Sequence, residues 1–267
     1  MTKRTFNYRQ WTIAIFPLME LGLFIASIMY FNHSIVLSII FLLLASICLS
    51  FSVHIFFHEY VHRSEHYPTL FNLIATALIG LPFDGYRIHH YNHHQYENGE
   101  KDYSTTWAFK QGIKSPRSLL SYVLGWPRQL LNSTRTTVAL NAKNGVIVRI
   151  KQRITLQKRL LLTIYILLLL IDWRLLIAYL LLIYTGWAFT ALQNYGQHPP
   201  IENGEACSYV QPLYNRLFFN NGLHGEHHNK PTLSWYQLVP DNNSKRISHA
   251  HLLNPFFTSG GIHHESS

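Results

Sequence analysis

Charge is what this chain has least of. Asp, Glu, Lys and Arg together make up 13% of its 267 residues, about half the usual share of a globular protein. Disordered chains and nucleic-acid-binding tails need many charges and few aromatics, so both readings fall away. Acidic residues are scarcer than basic ones, 13 against 22, for a formal net charge of +9. The stretches between those charges are too apolar for a soluble DNA binder. Cysteine is nearly absent. Cys48 and Cys207 cannot build a disulfide framework or a thiolate zinc site, and they are too few for an iron–sulfur centre. What is abundant instead is apolar residues, at 48%, and histidine, at 17. The composition is that of a membrane protein rich in imidazole.

A bilayer core asks for about 20 mostly apolar helical residues. Four stretches meet that demand: 11–31, interrupted by Pro17 and Glu20, then 34–57, 154–171 and 175–192. The links between them, Asn32-His33 and Asp172-Trp173-Arg174, are so short that each pair is an antiparallel hairpin. The segment 68–83 is apolar but short of a span, and reads as an interfacial or re-entrant helix. Ser115-Pro116 has the form of a helix start, with an apolar face from Leu119 to Leu124 after it. The expected fold is therefore an all-α integral membrane protein, one domain over 1–267. Four transmembrane helices in two hairpins carry a helical cap made of 58–153 and 193–267. Lys3, Arg4 and Arg9 precede the first span, and 14 Lys or Arg lie between Arg63 and Arg159, against Arg174 alone in the opposite turns. The positive-inside rule then puts both termini and the cap in the cytoplasm. The first apolar stretch is too long, and lacks a small-residue cleavage pattern, for a removable signal peptide.

The histidines fall in four boxes: His58-Glu-Tyr-Val-His62, His90-Tyr-Asn-His93-His94, Asn194-Tyr-Gly-Gln-His198 and His224-Gly-Glu-His227-His228. All lie on the side assigned to the cytoplasm, two of them where a span leaves the membrane. On a helix, positions i, i+3 and i+4 share a face, so each box projects its imidazoles one way. Nine imidazoles exceed the needs of one tetrahedral zinc and suit two metal ions with four or five nitrogens each. Imidazole accepts iron, copper, nickel or zinc, so the ligand type does not choose the metal. Glu59, Glu226, Asp102 and Glu97 are the carboxylates placed to orient the ring nitrogens that face away from a metal. His54 and His66 extend the His58/His62 face by a turn each way, and His89 competes with His90. His33, His249, His251, His263 and His264 read as ordinary polar or packing residues.

This set of boxes, in this order and at these boundaries, resembles the membrane fatty acid desaturase superfamily, and Pro231, Trp235 and Tyr236 extend the likeness. The resemblance implies a diiron centre with His58, His62, His90, His93, His94, His198, His224, His227 and His228 as ligands. Asn194 would approach one iron through water, and no catalytic side chain is implied beyond the metal centre. It implies an O2-dependent oxidoreductase that introduces a double bond into a lipid acyl chain. A hydroxylase, ketolase or oxidative decarboxylase would use the same centre. The substrate would be an acyl-lipid, acyl-CoA or acyl-carrier-protein, and electrons would come from a separate ferredoxin, rubredoxin or cytochrome b5. A haem carrier or a metal transporter would instead need its ligands inside the spans, where only His54 and Glu20 are candidates.

Overall fold

Where the aliphatic runs are longest, the backbone is helical and the breaks carry their own capping residues. The computed structural model describes residues 12–62, 69–140, 145–200, 206–241 and 245–247. Helix α1 (Ile15–Tyr30) and α2 (Ile35–Phe51) form the first hairpin. Ser34 caps α2, its extended backbone letting the hydroxyl accept from the Leu37 amide at 3.3 Å. Such a cap contributes about 0.5–2 kcal/mol. Across the hairpin the Ser38 hydroxyl donates to the Ser27 carbonyl at 2.8 Å. Lipid offers apolar helices no hydrophobic reason to associate, so small hydroxylated residues take over that task.

Helix α2 runs on through one wide π-turn (Ser52–Phe57) into the short α3 (His58–Val61), making a continuous rod. The second hairpin joins α8 (Gly145–Ile171) to α9 (Trp173–Gln197) at Asp172, whose carboxylate accepts from the Arg174 amide at 2.9 Å. Helix α9 packs along α2. At Gly186 a β-carbon would stand 2.7 Å from Leu49 Cδ2, so only glycine permits the approach. The far face of α8, with Leu162, Leu170 and Ile171 exposed, is apolar and is not covered by any of the described residues.

Among the described residues three helices are long and apolar enough to cross a membrane: Ile35–Val61, Val148–Ile171 and Trp173–Gln197. Helix α1, in place of the expected span over 11–31, has 16 residues and extends about 24 Å, short of a core of about 30 Å. Trp11 lies outside the described residues. The segment 68–83 holds α4 (Thr69–Ile79), 11 residues and too short to cross.

The cap departs from the all-α expectation. It contains α5 (Phe83–Tyr96), α6 (Leu119–Leu124), α7 (Trp126–Leu140), α10 (Pro212–Leu217) and α11 (His224–Asn229). Two small sheets accompany them. Strands β1 (Trp107–Lys110) and β2 (Ile113–Pro116) pair antiparallel, while β3 (Cys207–Tyr209) and β4 (Lys245–Ile247) pair parallel. The Ser115-Pro116 pair therefore starts no helix; it lies in β2, opposite Ala108 and Trp107. The reason is the turn before it, where Gln111 and Gly112 both take positive φ, 49° and 79°, the geometry of a two-residue hairpin. The helix start is Ser118, which accepts from the Ser121 amide at 3.3 Å.

Candidate metal centre

Four elements bring the boxes together. Helix α3 carries His58, and His62 follows at its end. Helix α5 carries His90, His93 and His94, and is tied to α8 by a buried polar clamp. Asp84 accepts from Gln157 Nε2 at 2.6 Å, Arg153 Nη2 at 2.8 Å and Arg87 Nη1 at 3.2 Å. His198 closes α9, its amide donating to the Asn194 carbonyl at 2.9 Å. The short α11 is held from below by β3: the Gly225 amide donates to Ser208 Oγ at 3.0 Å, and that hydroxyl donates to Glu226. Glu226 also accepts from the Asp241 amide at 2.9 Å.

The nine imidazoles form two adjoining groups. The first holds His58, His62, His90, His94 and His227; the second holds His93, His198, His224 and His228. Within each, one ring nitrogen per residue lies within 4.8 Å of all the others. The groups touch where the rings of His94 and His228 stack at 4.3 Å. A simple rule underlies the partition. The i,i+4 pairs His58/His62, His90/His94 and His224/His228 each stay in one group. The i+3 members, His93 and His227, cross to the other. Asn194 and His198 form the fourth i,i+4 pair, the one pair whose first member is not a histidine.

The nitrogen contacts are not an ordinary hydrogen-bond network. His90 Nε2 meets His62 and His94 Nε2, each at 2.9 Å, and His94 Nε2 also meets His227 Nε2 at 3.0 Å. In the second group His198 Nε2 meets His93 and His224 Nε2, each at 3.0 Å, and His224 meets His228 at 3.2 Å. A neutral ring nitrogen offers one in-plane site, either N–H or a lone pair. It cannot bond two partners there. Nitrogens spaced like this instead point at a common centre, since ligands at right angles about 2.1 Å from a metal lie about 3.0 Å apart. Among the described residues, both ring nitrogens of His58 also lack a hydrogen-bond partner. The residues present therefore fit a pair of metal ions.

Electrostatics agrees with this. Burial first, then the neighbouring imidazoles, hold His90, His198, His224, His227 and His228 well below the ordinary histidine value, and His94 down to about 2. These rings are neutral, the form that binds metal. Of the carboxylates expected to orient them, Asp102 accepts from His93 Nδ1 at 2.9 Å and is itself held by the Asn98 and Ser104 amides, each at 2.7 Å. That leaves the lone pair of His93 on Nε2, toward its group. Glu97 comes within 3.6 Å of His228 Nδ1. Glu59 accepts from the Trp235 amide at 3.3 Å, and Glu226 holds up α11 as described.

Other histidines stand apart from both groups. His54 donates from Nε2 to the Thr190 carbonyl at 3.1 Å. His54 lies inside the π-turn, whereas His58 begins the α-helix that follows it. His89 bonds Ser104 Oγ at 2.6 Å, and His33 is exposed at the hairpin tip. His66, His249, His251, His263 and His264 lie outside the described residues.

A cavity opens beside the histidines, between α5, α7 and α9. Its wall combines Tyr86, Trp126, Leu130, Trp187 and Ala191 with His58, His90, His93, His224 and Asn194. The indoles of Trp126 and Trp187 stack at 5.7 Å, and Trp187 Nε1 donates to the Ile79 carbonyl at 2.8 Å, which fixes that ring. Sequence reasoning missed Tyr122 and Ser104, which also line it. Tyr122 is buried, and burial pushes its phenol pKa up, so it keeps its hydrogen. Neither residue carries a motif. Tyr122 reads in the chain as one more residue of an amphipathic helix.

The family model described as Fatty acid desaturase matches residues 32–242, a stretch that contains all nine histidines and Asn194. No curated protein and no solved structure gives a match to the chain.

Proposed function

The chain belongs to the fatty acid desaturase family, and on that premise we propose that it is an O2-dependent diiron oxidoreductase that introduces a double bond into a lipid acyl chain. One observation carries the reading. Two adjoining groups of histidine nitrogens, five and four, border an apolar-walled cavity within the matched region. In the proposal His58, His62, His90, His94 and His227 hold one iron, and His93, His198, His224 and His228 the other, with Asn194 beside the second. The chemistry this pair supplies when bound is reductive activation of O2 for hydrogen removal from an unactivated C–H bond. Taking two hydrogens from a CH2–CH2 unit, with O2, two electrons and two protons, leaves the double bond and two waters.

The protein's own residues set the conditions for this. Burial keeps the ring nitrogens neutral, and Asp102 fixes the tautomer of His93. The walls from Tyr86, Trp126, Leu130 and Trp187 favour a hydrocarbon chain over water. In the proposal the electrons come from a separate ferredoxin, rubredoxin or cytochrome b5. Four spans are proposed, with α1 as the first, and the excess of Lys and Arg over 63–159 supports cytoplasmic termini and cap.

The test is mass spectrometry of lipids from cells making the protein, against cells making His227→Ala. An acyl species lighter by two hydrogens, absent from the variant, is expected. A species heavier by one oxygen would move the enzyme to the hydroxylases, and no difference between the two cultures would sink the proposal.

A further inference from the structure

We propose that Tyr122 is a positioning residue: together with the Ser104 carbonyl it fixes the amide of Asn194 so that the oxygen end, not the nitrogen end, is presented beside the second histidine group. This rests on the metal-centre reading above and adds to it a residue outside the histidine boxes.

The argument is a count of hydrogens. Tyr122 Oη lies 2.7 Å from the Ser104 carbonyl oxygen. A carbonyl can only accept, so the single phenolic hydrogen sits in that bond. Asn194 lies 2.5 Å from the same Oη. With its hydrogen already committed, Oη can only accept there, and the Asn194 atom facing it must be Nδ2. The second amide hydrogen has the same Ser104 carbonyl at 3.5 Å. Reversing the amide would set Oδ1 against Oη and the carbonyl, three acceptors with one hydrogen among them. Only one arrangement satisfies all three groups.

Both partners of the Asn194 side chain are thus reached from Nδ2, which leaves Oδ1 as the end turned away from Tyr122. Two observations locate that end. Asn194 lines the cavity bordered by His93 and His224 of the second group and by His58 and His90 of the first. It also occupies the i−4 position of His198, where every other i,i+4 pair of the boxes shares a group. An acceptor oxygen there can receive a hydrogen bond from a water or other O–H donor in the cavity. An amide N–H₂ could not.

The experiment is Mössbauer spectroscopy of the full-length protein loaded anaerobically with ferrous iron, together with iron content per chain. Four forms are compared: unsubstituted, Tyr122→Phe, Asn194→Asp and the double variant. Tyr122→Phe keeps the ring and frees the amide to turn, so unchanged iron content with a shifted or broadened signal from one of the two iron sites is expected. A carboxylate presents an oxygen at either end. In the Asn194→Asp background, Tyr122→Phe should therefore make little further change, a non-additivity that simple loss of packing would not produce. The inference is overturned if Tyr122→Phe leaves the spectrum as it was, if it shifts the spectrum equally in both backgrounds, or if it loses iron outright. Failure of the unsubstituted protein to take up two irons would instead count against the diiron reading itself.

Discussion

The two histidine groups are built by the same rule and do not come out the same. The first draws five imidazoles from α3, α5 and α11, and two of them, His62 and His94, are only partly buried. The second draws four, with His198 fully enclosed, and the box that supplies His198 begins with Asn194 where the others begin with histidine. In this second group a carboxylate stands directly behind a ring, Asp102 on His93. The contrast teaches how nearly equivalent positions are given different chemistry. One group is made of five imidazoles, whereas the other has four and the amide Asn194 one turn before His198. Both groups border the cavity, through His58 and His90 on one side and His93 and His224 on the other.

Removing a ligand from each group tests this asymmetry most severely. His198→Ala leaves three imidazoles in the smaller group and is expected to lose its metal and abolish turnover, whereas His62→Ala leaves four in the larger and should retain more iron. Equal losses by metal analysis of the two purified variants would erase the distinction. A smaller effect is expected behind the ring. Asp102→Asn cannot accept from His93 Nδ1 and two backbone amides as a carboxylate does, and loss of such a partner lowers metal affinity about 10- to 100-fold. The loss should fall on the second group alone; an iron titration showing both sites weakened alike would remove the contrast. Smallest is the change at the membrane edge. His54→Phe removes one hydrogen bond to the Thr190 carbonyl, worth about 0.5–1.5 kcal/mol, and should lower the melting temperature slightly with iron content intact. Lost iron would mean that His54 does not stand apart from the first group.

Much of the fold was readable from apolar run length. The expected spans 34–57, 154–171 and 175–192 fall on the rods Ile35–Val61, Val148–Ile171 and Trp173–Gln197, which run several residues further into the expected cap. The short α4 stops at Gly80, where φ is +67° and a β-carbon would meet Ile183. The β1–β2 hairpin was not readable, because Ser115-Pro116 fits a helix start by residue type. Only the paired positive φ values at Gln111 and Gly112 decide otherwise. His54 shows the same limit, since a 3.6-residue period assigns it to the His58 face, and a π-turn leaves no mark in residue type.

At the site, the sequence by itself determined which residues gather. Helical geometry places i, i+3 and i+4 on one face, and the apolar runs place two boxes where a span ends and all four on the same side, so the nine imidazoles are expected together in the cap. It did not determine which of them meet. His93 and His94 are neighbours in the chain and belong to different groups, as do His227 and His228. Successive side chains on a helix are about 100° apart, so each box straddles two centres. Which centre each side chain reaches was decided by how α5, held to α8 through Asp84, lies against α3, α9 and α11. The same packing brings Tyr122 and the Ser104 carbonyl to Asn194 from 72 and 90 residues away, a distance across which no local pattern in the chain carries information.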